Sequence, residues 1–167
     1  MDYLRIVRPV NALLAAVTGL AGFLISYQGF YFERFGLFMI MLSAFLITAY
    51  GNVINDIFDV EIDKSNRPDR SIPSGAISIK AASVFCFFLL LSGLAAARAA
   101  GLVYFKAASA IAIMLWIYSA YLKATPLWGN IVVALLSAIT VVYGAHFAGD
   151  AFYAMWPALF AFLLHLA

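Results

Sequence analysis

The chain has 167 residues and a net charge of +2, and hydrophobic residues make up 66% of it against 11% charged residues. A soluble domain needs a charged surface, and ordinary globular proteins carry about 25% charged residues. With a mean hydropathy of +1.00, the composition therefore excludes an ordinary soluble domain and indicates a multi-pass membrane protein. Because Cys86 is the only cysteine, an intrachain disulfide is also excluded.

Six apolar segments follow one another along the chain. The hydropathy pattern predicts the first five at about residues 10–27, 35–58, 79–97, 102–122 and 130–148, with a short break at Lys123–Gly129. The sixth begins near Phe152 and runs for about 16 residues, short of the roughly 20 that cross a bilayer. We therefore expect an all-α transmembrane bundle. We interpret residues 1–167 as the N-terminal part of a single domain, truncated in its sixth helix.

The basic residues predict how this bundle is oriented. With six spans, seven of the ten lysines and arginines fall on one side of the membrane and three on the other. Because cytoplasmic loops are enriched in these residues, we expect the richer side to be cytoplasmic. That side carries Arg5, Arg8, Lys64, Arg67, Arg70, Lys80 and Lys123.

Four of the eight acidic residues are concentrated where the second span ends. Carboxylates at membrane depth are costly and normally face a cavity or a partner. At about 100° per residue, Asn55, Asp59 and Asp63 share one helical face, with Asp56 at its edge. Glu61 points to the opposite side. Like charges one turn apart repel, so we expect a cation to lie among them.

The ligand types on this face favour Mg²⁺ over zinc. Asn55, Asp56, Asp59 and Asp63 offer only oxygen ligands, and no cysteine or histidine lies nearby in the sequence. Since Mg²⁺ typically uses one or two carboxylates and fills its shell with water and phosphate oxygens, the substrate should carry a phosphate or diphosphate.

The segment after the acids supplies the complementary positive charge. Arg67 and Arg70 lie in a loop whose prolines and glycine limit its freedom, and the guanidinium fork matches phosphate oxygens. An ordinary solvated helix end would also explain the acids, and cytoplasmic loops are basic in any case. The combination of one-face acids with an ordered basic loop favours a metal–phosphate site.

Two further residues are weaker candidates. Asn11, an amide near the start of the first span, should face inwards and find a polar partner. Lys123 lies on the predicted cytoplasmic side and could contact a diphosphate, although a lysine that only sets topology explains it equally well.

The same residues resemble a known family, the UbiA superfamily of intramembrane prenyltransferases. Its first aspartate-rich motif and the following loop are similar to Asn55-x-x-x-Asp59-x-x-x-Asp63 and Asn66-Arg67-Pro68-x-Arg70-x-Ile72-Pro73-x-Gly75. Its fourth-helix end resembles Tyr118-Ser119-x-x-Leu122-Lys123-x-Thr125-Pro126-x-x-Gly129-Asn130. The family's second aspartate-rich motif, usually at the end of the sixth helix, does not occur in these 167 residues.

The resemblance implies a bundle of about nine helices and Mg²⁺-dependent transfer of a prenyl group from an isoprenyl diphosphate to a lipophilic acceptor. Carried over residue by residue, it assigns Asn55, Asp59 and Asp63 to catalysis and, with Asp56, to the metal. It assigns substrate binding to Arg67, Arg70, Lys123, Tyr118 and Asn11. The segment from Asn55 to Pro73 looks most like the archaeal digeranylgeranylglyceryl phosphate synthases, which implies geranylgeranyl diphosphate as donor and geranylgeranylglyceryl phosphate as acceptor.

Three other functions stay open from the sequence alone. They are a UbiA enzyme with an aromatic acceptor such as a quinone precursor, an ion-coupled transporter, and a non-catalytic membrane anchor. Intramembrane carboxylates mark ion paths as well. A transporter, however, should carry acids on several spans, whereas here they crowd one helix end. We expect membrane lipid but no nucleic acid as a partner, and a cell-membrane location with the site facing the cytoplasm.

Overall fold

A computed structural model describes residues 1–29 and 32–166, and nearly all of them lie in helices. Five helical segments are long and apolar enough to cross a membrane, and two of them include the short turn that follows the helix. The eight α-helices are α1 (Asp2–Val7), α2 (Pro9–Ser26), α3 (Arg34–Phe58), α4 (Val60–Asn66), α5 (Ile79–Ala100), α6 (Leu102–Ile117), α7 (Pro126–Ala145) and α8 (Met155–Leu166).

These boundaries confirm the predicted all-α bundle and most of its spans. The first two spans agree within about one residue, which is within the usual uncertainty of helix ends. The predicted break at Lys123–Gly129 is too long, because α7 already begins at Pro126. Proline suits a first helical position, where its missing N–H has no intrahelical partner to lose. A π-helical turn, Tyr118–Leu122, extends α6, and two short 3₁₀ turns, His146–Ala148 and Phe152–Ala154, lie between α7 and α8.

Local sequence signals explain where several helices begin and end. The Glu33 carboxylate accepts hydrogen bonds from the backbone N–H groups of Phe35 and Gly36 and so caps α3. The Ser78 hydroxyl accepts the N–H of Ala81 at 3.2 Å and caps α5. Gly101, at φ 146°, separates α5 from α6 in a backbone conformation that favours glycine.

Helix α3 is the centre of the bundle and packs against α1, α2, α5, α6 and α7. Its inward side carries Ile40, Ile47, Tyr50 and Val53, all buried in the main core. Large apolar side chains such as Phe38 on the outer surfaces are exposed, as expected of surfaces that contact lipid. This arrangement places the polar end of α3 at one end of the bundle, close to the junction between α1 and α2.

The α1–α2 junction is an unusual piece of backbone. Arg8 adopts the left-handed conformation, with φ 52° and ψ 67°, and is the only non-glycine residue with positive φ among those described. The side chains of Ile6 and Val7 are buried in the core, and the Asn52 amide of α3 donates a 2.8 Å hydrogen bond to the Val7 carbonyl. These contacts hold α1 across the end of the bundle and direct Arg8 towards α3.

Candidate active site

The acidic residues keep their helical spacing although α3 formally ends at Phe58. The backbone N–H of Asp59 donates to the Asn55 carbonyl at 2.9 Å, and that of Asp63 donates to the Asp59 carbonyl at 2.8 Å. The helical path therefore continues through Asp59 into α4. As a result, Asn55, Asp59 and Asp63 line one cavity of about 390 Å³, and the Asn55 amide donates to Asp59 Oδ2 at 2.9 Å.

Glu61 lies away from this cavity. Its side chain is 76% exposed, and it pairs with Lys64 at 2.8 Å on the surface of the same short helix. The geometry therefore separates Glu61 from the other acids, in agreement with its position on the helical wheel.

Basic side chains from three parts of the chain neutralise the remaining carboxylates. Asp56 pairs with Arg8 from the α1–α2 junction, and Arg70 lies 3.4 Å from the same Asp56 oxygen. Arg70 also pairs with Asp63, and Lys123 pairs with Asp59. In this structure, basic side chains therefore supply the positive charge that we expected to lie among the acids.

Part of the acidic cluster suits the Mg²⁺ that the sequence predicts. Among the described residues, no three His, Cys, Asp or Glu side chains are grouped so that they could hold a metal ion by themselves. Asp59 and Asp63, with the Asn55 amide, nevertheless line one cavity and offer only oxygen. This is the partial shell that suits Mg²⁺, which commonly keeps several waters and binds substrate phosphate. Asp56 fits less well, because it is not among the described residues that line this cavity and because two arginines share its Oδ1.

The basic loop after α4 is held by its own backbone. The N–H of Ser74 donates to the Arg70 carbonyl at 2.9 Å, and that of Ile77 donates to the Ser71 carbonyl at 2.9 Å. The Ile72 and Ile77 side chains are buried and anchor the loop to the core. Arg67 lines the same cavity as Asp59, is exposed, and forms no ion pair with any residue of the described ranges.

Lys123 reaches the site through the π-helical turn. The backbone N–H of Lys123 donates to the carbonyl of Tyr118, five residues earlier, at 3.1 Å. Such one-turn π segments occur frequently at functional sites. Tyr118 begins the turn and is half-buried, but it is not one of the described residues that line the cavity.

Asn11 finds the polar partner that the sequence predicts. Its amide donates to Asn52 Oδ1 at 3.2 Å, one turn before Asp56 along α3. The Asn11 side chain is exposed, however, and is not among the described residues that line the acidic cavity.

Two residues of this site were missed by the sequence analysis. Arg8 was interpreted only as a topology signal, and Asn52 was not considered. An available signal was the position of Asn52, one turn before Asp56 inside an apolar span, where an amide needs a partner. For Arg8, the signal was its position directly before Pro9, which restricts the backbone.

Comparison with known proteins identifies the family. The sequence model of the UbiA prenyltransferase family matches residues 14–167. The chain belongs to the UbiA prenyltransferase family. This confirms the resemblance found in the acidic motif and its loop.

Individual relatives refine this picture. The digeranylgeranylglyceryl phosphate synthase of Pyrococcus abyssi is 41% identical over 166 residues, which cover 99% of this chain and 59% of that protein. A solved structure of a digeranylgeranylglyceryl phosphate synthase in membranes has a TM-score of 0.85 at 33% identity, covering 99% of this chain and 57% of the other. A UbiA homologue from Archaeoglobus fulgidus, solved with GPP and Mg²⁺, has a TM-score of 0.83 at 26% identity, covering 99% and 60%.

The chain thus spans about three fifths of the length of these relatives. The comparisons establish the family and the helical membrane fold for residues 1–167.

Proposed function

We propose that this chain takes part in Mg²⁺-dependent transfer of a prenyl group from an isoprenyl diphosphate, geranylgeranyl diphosphate, to geranylgeranylglyceryl phosphate. The observation that carries the proposal is the cavity at the end of α3, where Asn55, Asp59 and Asp63 face Arg67. Metal-binding oxygens and a free guanidinium around one cavity are what a metal–diphosphate substrate needs. The relatives named as digeranylgeranylglyceryl phosphate synthases support this choice of acceptor.

Asn55, Asp59 and Asp63 would hold Mg²⁺, which supplies a Lewis acid for diphosphate oxygens. Arg67 would bind the diphosphate directly, and Arg70 and Lys123 would turn from Asp63 and Asp59 towards it. The allylic carbon–oxygen bond breaks and its electron pair leaves with the diphosphate, whose growing charge these three residues stabilise. The acceptor hydroxyl oxygen then bonds to the allylic carbon and releases its proton to water or diphosphate.

Asp56 has a different role in this proposal. Its carboxylate is buried and bound by Arg8 and Arg70, so it would hold these arginines in place and would not be a principal metal ligand. The apolar helices around the cavity would keep water from the allylic cation. We place the site at the cytoplasmic face of the cell membrane, because Arg8, Arg70 and Lys123 meet at one end of the bundle.

A transfer assay tests the proposal. The intact protein in detergent is given labelled geranylgeranyl diphosphate and Mg²⁺, with either geranylgeranylglyceryl phosphate or 4-hydroxybenzoate as acceptor. We expect an ether-linked lipid product with the first acceptor and none with the second. Product from the aromatic acceptor alone would overturn the acceptor assignment, and no product from either would overturn the proposed transferase.

A further inference from the structure

A second polar cavity, of about 420 Å³, lies beside the one that contains Asp59 and Asp63. The two cavities share a wall made of Arg8, Arg67 and Arg70, together with Asn66. On its far side the second cavity is lined by Arg5 from α1 and by Ser71 from the basic loop. The proposed diphosphate site does not use these two residues.

The second cavity carries an excess of positive charge. Four arginines line it against two carboxylates, Asp56 and Asp69, so its lining carries two positive charges in excess. Arg70 also pairs with Asp63, a carboxylate that the proposed metal would take over. Asp56 is buried and already paired with Arg8 and Arg70, and Asp69 is exposed. A phosphate monoester, with a charge of about −1.5 to −2 at neutral pH, matches this excess.

Arg5 is available to such an anion. Its side chain is 73% exposed, and within the described ranges the one ion pair that it forms is with Asp2, 3.9 Å away and 40% exposed. An exposed pair of this kind is weak and gives way easily. Helix α1 is nevertheless fixed in place, because Ile6 and Val7 are buried and Arg8 is held in its left-handed conformation. Backbone conformations of this sort cluster at sites that clamp ligands.

The chemistry of the proposed acceptor requires an anion site directly beside the diphosphate site. Its hydroxyl must come within about 3–3.5 Å of the allylic carbon to react. Its phosphate is joined to the same glycerol and must therefore lie close to the leaving diphosphate. Two such anions repel each other unless cations lie between them. The shared wall of Arg8, Arg67 and Arg70 provides those cations.

Resting on the proposed function, we propose that the second cavity binds the phosphomonoester of the acceptor lipid, and that Arg5 is the contact specific to that phosphate. Arg67 and Arg70 then serve both anions, whereas Asp59 and Asp63 serve only the donor. The headgroup of a bulk phospholipid, a phosphodiester, is the other source of phosphate at a membrane surface.

The test compares Arg5→Gln with Lys64→Gln in the intact protein. Lys64 is a matched control, because it is a basic residue at the same end of the molecule but lines neither cavity. We expect Arg5→Gln to raise KM for geranylgeranylglyceryl phosphate roughly tenfold, since one charge-assisted contact is lost. It should leave KM for geranylgeranyl diphosphate unchanged, which also shows that the variant is folded. Lys64→Gln should change neither constant.

A second acceptor and a competing lipid complete the experiment. With geranylgeranylglycerol, which lacks the phosphate, wild type and Arg5→Gln should perform alike. An unchanged acceptor KM in Arg5→Gln, or an equal rise in both KM values, would overturn the inference. So would inhibition of the wild type, but not of Arg5→Gln, by an excess of phosphatidylglycerol, because that result assigns the cavity to bulk lipid. If the wild type forms no product from geranylgeranylglyceryl phosphate, the proposed function itself has failed.

Discussion

At the residue scale, each carboxylate of the acidic helix end has a basic partner, and two of these partners are far away in the sequence. Lys123 pairs with Asp59 across 64 positions, and Arg8 pairs with Asp56 across 48. Such pairs set a positive side chain against each carboxylate at this end of the bundle. When the donor and Mg²⁺ bind, we expect an exchange in which Asp59 and Asp63 turn to the metal and Lys123 and Arg70 turn to the diphosphate.

This exchange predicts which acids matter for transfer. Asp59→Asn or Asp63→Asn in the intact protein should lower kcat by roughly 100-fold or more, as expected when a group that stabilises transition-state charge is lost. Glu61→Gln should change kcat little, because Glu61 is 76% exposed and contacts only Lys64. Steady-state transfer rates at saturating substrate would measure the difference. Similar losses in Glu61→Gln and Asp59→Asn would contradict the assignment.

Only part of this site can be predicted from the sequence. Asn55, Asp59 and Asp63 are four residues apart, so helical geometry alone brings them together. No local rule places Arg8 next to Asp56, because that contact depends on how α1 folds over the end of α3. The partners of Asp56 could therefore not be predicted. The structure pairs it with two arginines, and its assignment as a metal ligand stays a prediction.

At the element scale, the close approach of α2 and α7 depends on glycine residues at their crossing. An added methyl group at Gly22 would overlap the Val141 carbonyl, and one at Gly144 would overlap the carbonyl of Gly19. Small residues let helix backbones approach in this way in membranes, where packing replaces the hydrophobic effect between helices. Hydropathy predicts where these helices lie in the sequence, but it does not indicate that they touch.

Gly22→Ala should therefore destabilise the protein, at a cost of roughly 1–3 kcal/mol for overpacking. Gly19→Ala is the matched control on the same helix, because its methyl group would lie 3.9 Å from the Thr140 carbonyl, an ordinary contact. Alanine is also the better helix former, so the control should be neutral or slightly stabilising. Thermal unfolding in detergent would measure both variants. Equal Tm values for the two would show that α2 and α7 are not packed this closely.

At the scale of the whole molecule, three of the seven basic residues assigned to one side of the membrane meet at one site. Arg8, Arg70 and Lys123 come from three separate segments and converge on the acids at the end of α3. The alternation of spans therefore gives the correct grouping of these segments. Which compartment they face stays a prediction from the excess of basic residues.

Cysteine labelling would test that orientation. Ser65→Cys and Asp150→Cys would place thiols at exposed positions, one beside the basic loop and one between α7 and α8. The native Cys86 is 3% exposed and should stay unlabelled, which gives an internal control. In intact cells a membrane-impermeant maleimide should modify Asp150→Cys only, and in inverted vesicles Ser65→Cys only. The reverse pattern would place the acidic cavity on the outer face.

The binding of Mg²⁺ and the binding of the diphosphate donor should also depend on each other. Asn55, Asp59 and Asp63 provide too few ligands for a complete Mg²⁺ shell, and within the described ranges no three His, Cys, Asp or Glu side chains are grouped so that they could hold a metal. We expect diphosphate oxygens, together with water, to complete the shell. By linkage, each of the two ligands then raises the affinity of the other by the same factor.

We therefore expect the intact protein in detergent to bind geranylgeranyl diphosphate at least about tenfold more weakly in EDTA than in Mg²⁺, a coupling of about 1.4 kcal/mol. Arg67→Ala should weaken diphosphate binding in Mg²⁺ and leave any donor-free Mg²⁺ binding unchanged, because a guanidinium contacts the anion and not the metal. Arg98→Ala, at the far end of α5, is the control and should behave as wild type. Calorimetric titration of the donor, with and without Mg²⁺, measures both effects. Equal donor affinity in EDTA and in Mg²⁺ would refute the metal bridge and favour an ion-path or anchor role for the acids.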